Sequence, residues 1–98
     1  MSTENKLESW YQTQVEIGED VVSRTIQGEE VILDMNEGLY FGLDEVGTQI
    51  WSGLKEKKTI PAICENLKEK FEENPDKIQE DLFQFLNSLR TRKLIRTL

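Results

Sequence analysis

The spacing of apolar residues changes near the middle of the chain, from a pattern typical of strands to one typical of helices. Up to residue 43, short runs of β-branched and aromatic residues alternate with turn signals. These runs predict three strands, over residues 21–26, 30–35 and 39–42, with a glycine in each connecting turn. We also expect a short extended piece over residues 15–17. Strands that follow one another through such short turns form an antiparallel meander, so the third strand should lie at an edge of the sheet.

Three helices are predicted after residue 43. Asp44, Thr59 and Asn74 each fit the cap position at which a helix begins. After each cap, apolar residues recur at a spacing of three or four, which is typical of one buried helix face. The third of these helices should run to about Arg92. The order of elements therefore predicts an α+β fold of the winged helix-turn-helix type, in which a three-stranded antiparallel sheet is followed by three helices.

The length of 98 residues fits one domain with one core. Residues 1–14 are mostly polar and are predicted to form a loosely held N-terminal arm, so the domain itself should cover residues 15–98. No stretch approaches the roughly 20 apolar residues of a membrane span. The chain also lacks the apolar core of a signal peptide, so we expect a cytoplasmic protein that does not engage a membrane.

The charge distribution narrows the choice of partners. The net charge is −7, and the basic residues cluster at the C-terminus. Four basic and no acidic residues lie between Arg90 and Leu98, so residues 1–89 carry a balance of −11. Such an acidic body disfavours nucleic acid, whose binding depends on the neutralisation of phosphates, and favours cationic partners.

Candidate catalytic chemistry is sparse. The chain has no histidine and one cysteine, Cys64. The histidine-dependent nucleophile arrangements and the commonest zinc ligand are therefore excluded. We expect a protein that is not an enzyme and that holds neither a metal nor a cofactor.

The third predicted strand has the composition of a docking edge. Leu39, Tyr40 and Phe41 place apolar groups on both faces, and this run contains neither a charge nor a proline to protect an edge. Together with Val31 and Leu33 of the neighbouring strand, these residues are predicted to bind an extended peptide by strand addition.

The third predicted helix is expected to form the second wall of this site. Phe83 projects about 100° away from the core stripe. Asp81 lies on the opposite flank, with Lys77 and Gln84 further round the helix. We include all four of these residues as candidate peptide contacts.

An alternative for the same edge is that the chain covers it itself. The N-terminal arm could do so through Trp10, or the short extended piece over residues 15–17 could pair with the third strand. In that case the apolar edge would be part of the fold and would not be open to a peptide.

The chain resembles the PqqD-like family over roughly residues 21–95. The resemblance rests on an ordered set of short motifs: Ile32-Leu33-Asp34, Gly38, Tyr40-Phe41, Leu43-Asp44, Gly47, Ile50-Trp51 and the closing segment DLFQFLNSLRTRKLI from Asp81 to Ile95. Each motif is degenerate, but their order along the chain is fairly specific.

The resemblance implies a recognition domain of the kind called a RiPP recognition element. Such a domain binds the leader segment of a ribosomally made precursor peptide, as a strand added to strand three and lying against helix three. A separate acidic chain of this size resembles the recognition protein of lasso-peptide pathways. That likeness implies two further partners, a cysteine-protease-like leader peptidase and possibly an ATP-dependent cyclase.

Two alternatives remain at this stage. The nearest is a PqqD-type peptide chaperone, whose partner is a radical enzyme of quinone cofactor biosynthesis. The other is a DNA-binding winged-helix regulator, which the helix-turn-helix alone would suggest. Against it, the helix that should read bases contains Asp76, Glu80 and Asp81.

Overall fold

The computed structural model describes residues 7–98. Nine elements follow one another in this order: α1 (Glu8–Tyr11), β1 (Val15–Ile17), β2 (Val21–Ile26), β3 (Glu29–Asp34), β4 (Leu39–Gly42), α2 (Glu45–Lys55), α3 (Ile60–Lys70), α4 (Pro75–Thr91) and β5 (Ile95–Thr97). The predicted α+β fold, with a three-stranded antiparallel sheet followed by three helices, is confirmed. The predicted third strand is β4 and the predicted third helix is α4.

The three long helices begin where the sequence predicts. The side chain of Asp44 accepts a hydrogen bond from the backbone N–H of Gly47 at 2.8 Å, and that of Thr59 accepts one from Ala62 at 3.2 Å. Asn74 caps α4 in the same way. These bonds satisfy donors that the first turn of a helix leaves free, and therefore fix the ends of the helices locally.

A second, two-stranded sheet joins the two ends of the described chain. β1 pairs with β5 in antiparallel register, with Val15 opposite Thr97 and Ile17 opposite Ile95. The extended piece predicted over residues 15–17 is thus a strand, whereas its partner β5 was not predicted. Leu94 and Ile95 are buried as this end of the chain packs back onto the body.

Two residues of the predicted N-terminal arm are packed into the core. Leu7 and Trp10 are buried in the core, at 1% and 2% exposure, so residues 7–10 are not loosely held. The guanidinium of Arg90 lies 4.8 Å from the centroid of the Trp10 ring. The first six residues of the predicted arm lie outside the described part of the chain.

The core lies between the helices and one face of the main sheet. Ile32 of β3, Trp51 of α2, Leu67 of α3 and Leu82 of α4 are among its fully buried side chains. None of the helices within residues 7–98 is both long and apolar enough to cross a membrane.

A buried carboxylate links the sheet to α2. Glu30 of β3 is 6% exposed; it accepts hydrogen bonds from Thr25 at 2.9 Å and from the ammonium of Lys55 at 3.1 Å. Burial by itself raises the pKa of Glu30. Hydrogen bonds from Thr25 and Ser23, together with the Lys55 charge, outweigh that effect, so its pKa lies below the ordinary 4.5.

The lowered pKa predicts a pH-dependent contribution to stability. A carboxyl whose pKa is lower in the folded state stabilises the fold above its unfolded pKa, and this contribution is lost as the pH falls through the folded pKa. Glu30→Gln should therefore reduce the free energy of unfolding by about 1–3 kcal/mol at neutral pH, and by much less at about pH 3. Urea unfolding at the two pH values measures this difference. Glu29→Gln, which changes an exposed neighbour, is the matched control; an equal loss in both variants would contradict the prediction.

Helices α2 and α3 approach each other closely at Gly53. A β-carbon added there would lie 2.7 Å from Cγ1 of Ile63, closer than two carbon atoms can pack. Gly53→Ala should therefore lower the free energy of unfolding by about 1–3 kcal/mol, although alanine is the better helix former. Thermal and urea unfolding measure the change. Ser52→Ala, one residue earlier in the same helix, should have little effect, and a stabilised Gly53→Ala variant would refute the close approach.

Candidate functional site

The candidate site begins at β4, which is an edge strand. The strand order of the main sheet is β2-β3-β4, and none of residues 7–98 pairs with the outer side of β4. Tyr40 is 71% exposed and Leu39 is 48% exposed. An uncharged edge with exposed apolar side chains is a surface on which another strand can pair.

The register of β4 shows which of its backbone groups face outward. The N–H of Leu43 donates to the carbonyl of Glu30 at 2.9 Å, and Phe41 lies opposite Ile32. Because hydrogen-bonded and non-bonded pairs alternate in an antiparallel ladder, Leu39 and Phe41 direct their backbone groups toward β3. Those of Tyr40 and Gly42 point away from the sheet. The edge therefore presents two donors and two acceptors in the geometry that an added strand requires.

The side chains of β3 and β4 divide between the two faces of the sheet. Tyr40 lies opposite Leu33, and Gly42 lies opposite Val31, on the face turned away from the core. Phe41 lies opposite Ile32, on the core side, and Leu39 shares that side. The prediction of apolar groups on both faces thus agrees with the register, and an added strand would meet them on both of its own faces.

The described part of the N-terminal arm does not cover this edge. Trp10 is buried beside Arg90 of α4, and Val15–Ile17 pairs with Ile95–Thr97. Both of the segments considered as covers therefore have other partners. Residues 1–6 lie outside the described chain.

One flank of α4 faces β4 and forms the second wall. The guanidinium of Arg92, the C-cap residue of α4, lies 4.8 Å from the centroid of the Phe41 ring. Further toward the start of the helix, Cε1 of Phe85 lies 3.5 Å from where a β-carbon on Gly47 would be. The flank with Arg92 and Phe85 is thereby turned toward β4 and the start of α2. β4 and α4 run in opposite directions along this contact. Phe41 lies near the end of the helix, whereas Gly47, six residues later in the chain, lies near Phe85.

The four residues predicted on α4 do not share this flank. Asp81 lies eleven positions before Arg92, about 20° away around the helix axis, and so faces the same way. Phe83 lies nine positions before Arg92, about half a turn away, on the side where Arg90 covers Trp10. Helix geometry therefore places Asp81 on the same face of α4 as Arg92, but roughly 16 Å nearer the start of the helix. Phe83 lies on the opposite flank, half-buried against the core.

Lys77 and Gln84 lie beside this flank and bind other residues of α4. The ammonium of Lys77 is 3.2 Å from a carboxylate oxygen of Asp81, and the Gln84 amide donates to Glu80 at 2.9 Å. All of these groups are solvated, so the bonds contribute little stability and can be exchanged for bonds to a ligand. A shallow open groove of about 460 Å³ continues along the helix, lined by Gln84, Asn87, Ser88, Thr91 and Arg92.

Two residues of this wall were not among the predicted contacts. They are Phe85 and Arg92, the second of which was predicted only to end the helix and to belong to the basic C-terminal segment. The spacing of Arg92 and Asp81 places them on one helix face, and this is the signal by which Arg92 could have been included. The roles of the nine predicted residues as peptide contacts stay predictions.

Comparisons with known proteins agree with this geometry. The family profile described as coenzyme PQQ synthesis protein D (PqqD) matches residues 29–95. A solved structure described as TbiB1 in complex with the TbiA(beta) leader peptide is 36% identical, with a TM-score of 0.77; the match covers 83% of this chain and 94% of that one. No curated protein matches the chain.

A second solved structure shows the same fold at lower identity. It is described as lasso peptide synthetase B1 complexed with the leader peptide, and it is 16% identical with a TM-score of 0.77, over 85% of this chain and 98% of that one. The family profile spans more than half of the chain and includes both β4 and α4. The protein therefore belongs to the PqqD family.

Proposed function

We propose that this protein binds the leader segment of a ribosomally made precursor peptide, as a strand added to β4 and lying against α4. The observation that carries the proposal is the open edge of β4, where the backbone groups of Tyr40 and Gly42 face away from the sheet. TbiB1, which is similar to this chain over 94% of its own length, is described in complex with a leader peptide. That description supports a leader peptide as the ligand of this protein, and the open edge of β4 is the place that we propose for it.

The energetics of strand addition assign separate roles to backbone and side chains. Four outward backbone bonds contribute roughly 0.5–1.5 kcal/mol each. Association and ordering cost on the order of 4–15 kcal/mol, so these bonds alone would hold a peptide weakly. Two or three buried apolar side chains add roughly 1.5–3 kcal/mol each. Apolar anchors of the peptide, packed against Leu39, Phe41 and Phe85, should therefore determine which peptide binds.

We further propose that the protein is a non-enzymatic adaptor of a lasso-peptide pathway in the cytoplasm. It would hold the leader while a cysteine-protease-like leader peptidase and a cyclase act on the precursor. Two observations support this pathway. The similar protein TbiB1 is described in complex with a leader peptide. A protein described as lasso peptide synthetase B1, also in complex with the leader peptide, has the same fold.

A PqqD-type chaperone is the second candidate. The description of the matching family, coenzyme PQQ synthesis, favours a radical enzyme as the partner in that case. Both candidates use the same edge and differ in the enzyme that receives the peptide. DNA binding is less favoured because the first half of α4 is acidic, with Asp76 and Asp81 among its charges.

The backbone donor at Tyr40 provides a direct test of strand addition. Tyr40→Pro removes an outward N–H without removing a bond to β3, and should weaken leader binding roughly three- to tenfold relative to Tyr40→Ala. Tyr40→Ala is the matched control because it loses the same side chain and keeps the donor. Calorimetric titration with candidate leader peptides, taken from short open reading frames near the gene, measures both affinities. Equal affinities of the two variants would contradict pairing at this edge.

The same complex should show its contacts by nuclear magnetic resonance. On titration with the leader, the amide signals of Tyr40 and Gly42 should shift most, because their N–H groups gain acceptors. The amide of Ser23, on β2 at the other edge of the sheet, is the internal control. Larger shifts of the β2 amides than of the β4 amides would contradict binding at β4 and would indicate that the peptide pairs with β2.

The proposed enzyme partner is tested by reconstitution. Cleavage of the precursor by the leader peptidase proposed as the partner should be fast with the wild-type protein and slow with Tyr40→Pro, because the peptidase would receive the leader through β4. Time courses of cleavage with each protein measure this dependence. A peptidase that works equally well without the protein would refute the adaptor role.

A further inference from the structure

Arg92 places a positive charge directly beside the open edge of the sheet. It follows the last turn of α4, is exposed, and its guanidinium lies 4.8 Å from the centroid of the Phe41 ring. This contact is a cation–π interaction, which orients the guanidinium and removes water from one of its faces.

Arg92 differs from many basic residues of the chain in having no acidic partner. Lys55, Lys58, Lys68, Lys77 and Arg96 each lie in a salt bridge. Within residues 7–98, no carboxylate forms a salt bridge with Arg92. The Phe41 ring holds the guanidinium in place but does not neutralise its charge, so Arg92 can still bind a carboxylate at the edge of the sheet.

The register of β4 determines what an added strand would bring to Arg92. In an antiparallel peptide strand, the residues that bond to Tyr40 and Gly42 direct their side chains to the outer face, where the Tyr40 side chain points. The peptide residue between them lies opposite Phe41, in a non-hydrogen-bonded pair, with its Cβ about 4.5–5.5 Å from that of Phe41. Its side chain points to the core side, where the guanidinium lies over the ring.

We propose that Arg92 determines specificity at this position, by binding the carboxylate of an aspartate or glutamate opposite Phe41 in the added peptide strand. The inference rests on the proposed function and adds the chemical class of one peptide residue. A guanidinium binds a carboxylate through two parallel hydrogen bonds, and it keeps its charge at every physiological pH.

Because the body of the protein is acidic, an acidic peptide residue is favoured only at the position beside Arg92. A net charge of −7 repels an acidic peptide in general, so a carboxylate is favoured only where a local cation compensates. A shift of the peptide by one residue would turn the acidic side chain to the outer face, away from Arg92. The ion pair therefore fixes the register of the peptide as well as its composition.

Selection from a library of displayed random peptides, long enough to pair with all of β4, tests the inference without knowledge of the natural leader. Peptides that bind the wild-type protein should be enriched in Asp or Glu at one position. That position is the peptide residue whose protons show nuclear Overhauser contacts to the Phe41 ring. The enrichment should disappear with Arg92→Gln and change to Lys or Arg with Arg92→Glu. Arg90→Gln is the matched control, because Arg90 also lies over an aromatic ring, that of Trp10, on the opposite flank of α4.

A binding cycle on one selected peptide gives the size of the effect. Replacement of its acidic residue by the corresponding amide should weaken binding to the wild-type protein roughly three- to tenfold, and should change binding to Arg92→Gln little. Peptides that bind β4 with no acidic preference, or with the same preference for Arg92→Glu, would overturn the role of Arg92 and leave strand addition intact. The absence of any β4-binding peptide would instead overturn the proposed function, and the Arg92 inference with it.

Discussion

The architecture depends on β3, which packs its side chains into the core and bonds its backbone to a strand on each side. Glu30, Ile32 and Asp34 bury their side chains on the core side and direct their backbone groups to β4, while Val31 and Leu33 bond to β2. No other strand of the main sheet has buried side chains. β2 and β4 are therefore held through β3, each by one side only. This arrangement keeps β4 in place while its outer backbone groups stay available.

The elements that local signals specify could be predicted from the sequence. The helix starts could be predicted because the side chains at these positions, Asp44, Thr59 and Asn74, are of the types that cap a helix. Glycines indicate the turns between strands. The sheet of β1 and β5 has no such signal, because its partners are 80 residues apart and each strand is only three residues long. The burial of Leu7 and Trp10 was missed for the same reason: two apolar residues in a polar segment form no recognisable period.

The two walls of the site differ in the same way. The strand wall was proposed from two local properties, the uncharged apolar run of Leu39, Tyr40 and Phe41 and the place of this strand at the end of a meander. The helix wall could not be predicted, because a helical wheel offers two flanks beside the core stripe, one with Phe83 and one with Asp81. Tertiary contacts at Gly47 and Phe41 decide how α4 is rotated, and they select the Asp81 flank.

The β1–β5 sheet has a consequence for how local opening of the domain is divided. The N–H of Leu98 donates to the carbonyl of Gln14, and Val15 lies opposite Thr97. β4 belongs to the other sheet, where it pairs with β3. Separation of β1 from β5 breaks no hydrogen bond of the main sheet, so the two short strands can open while β4 keeps its place beside β3.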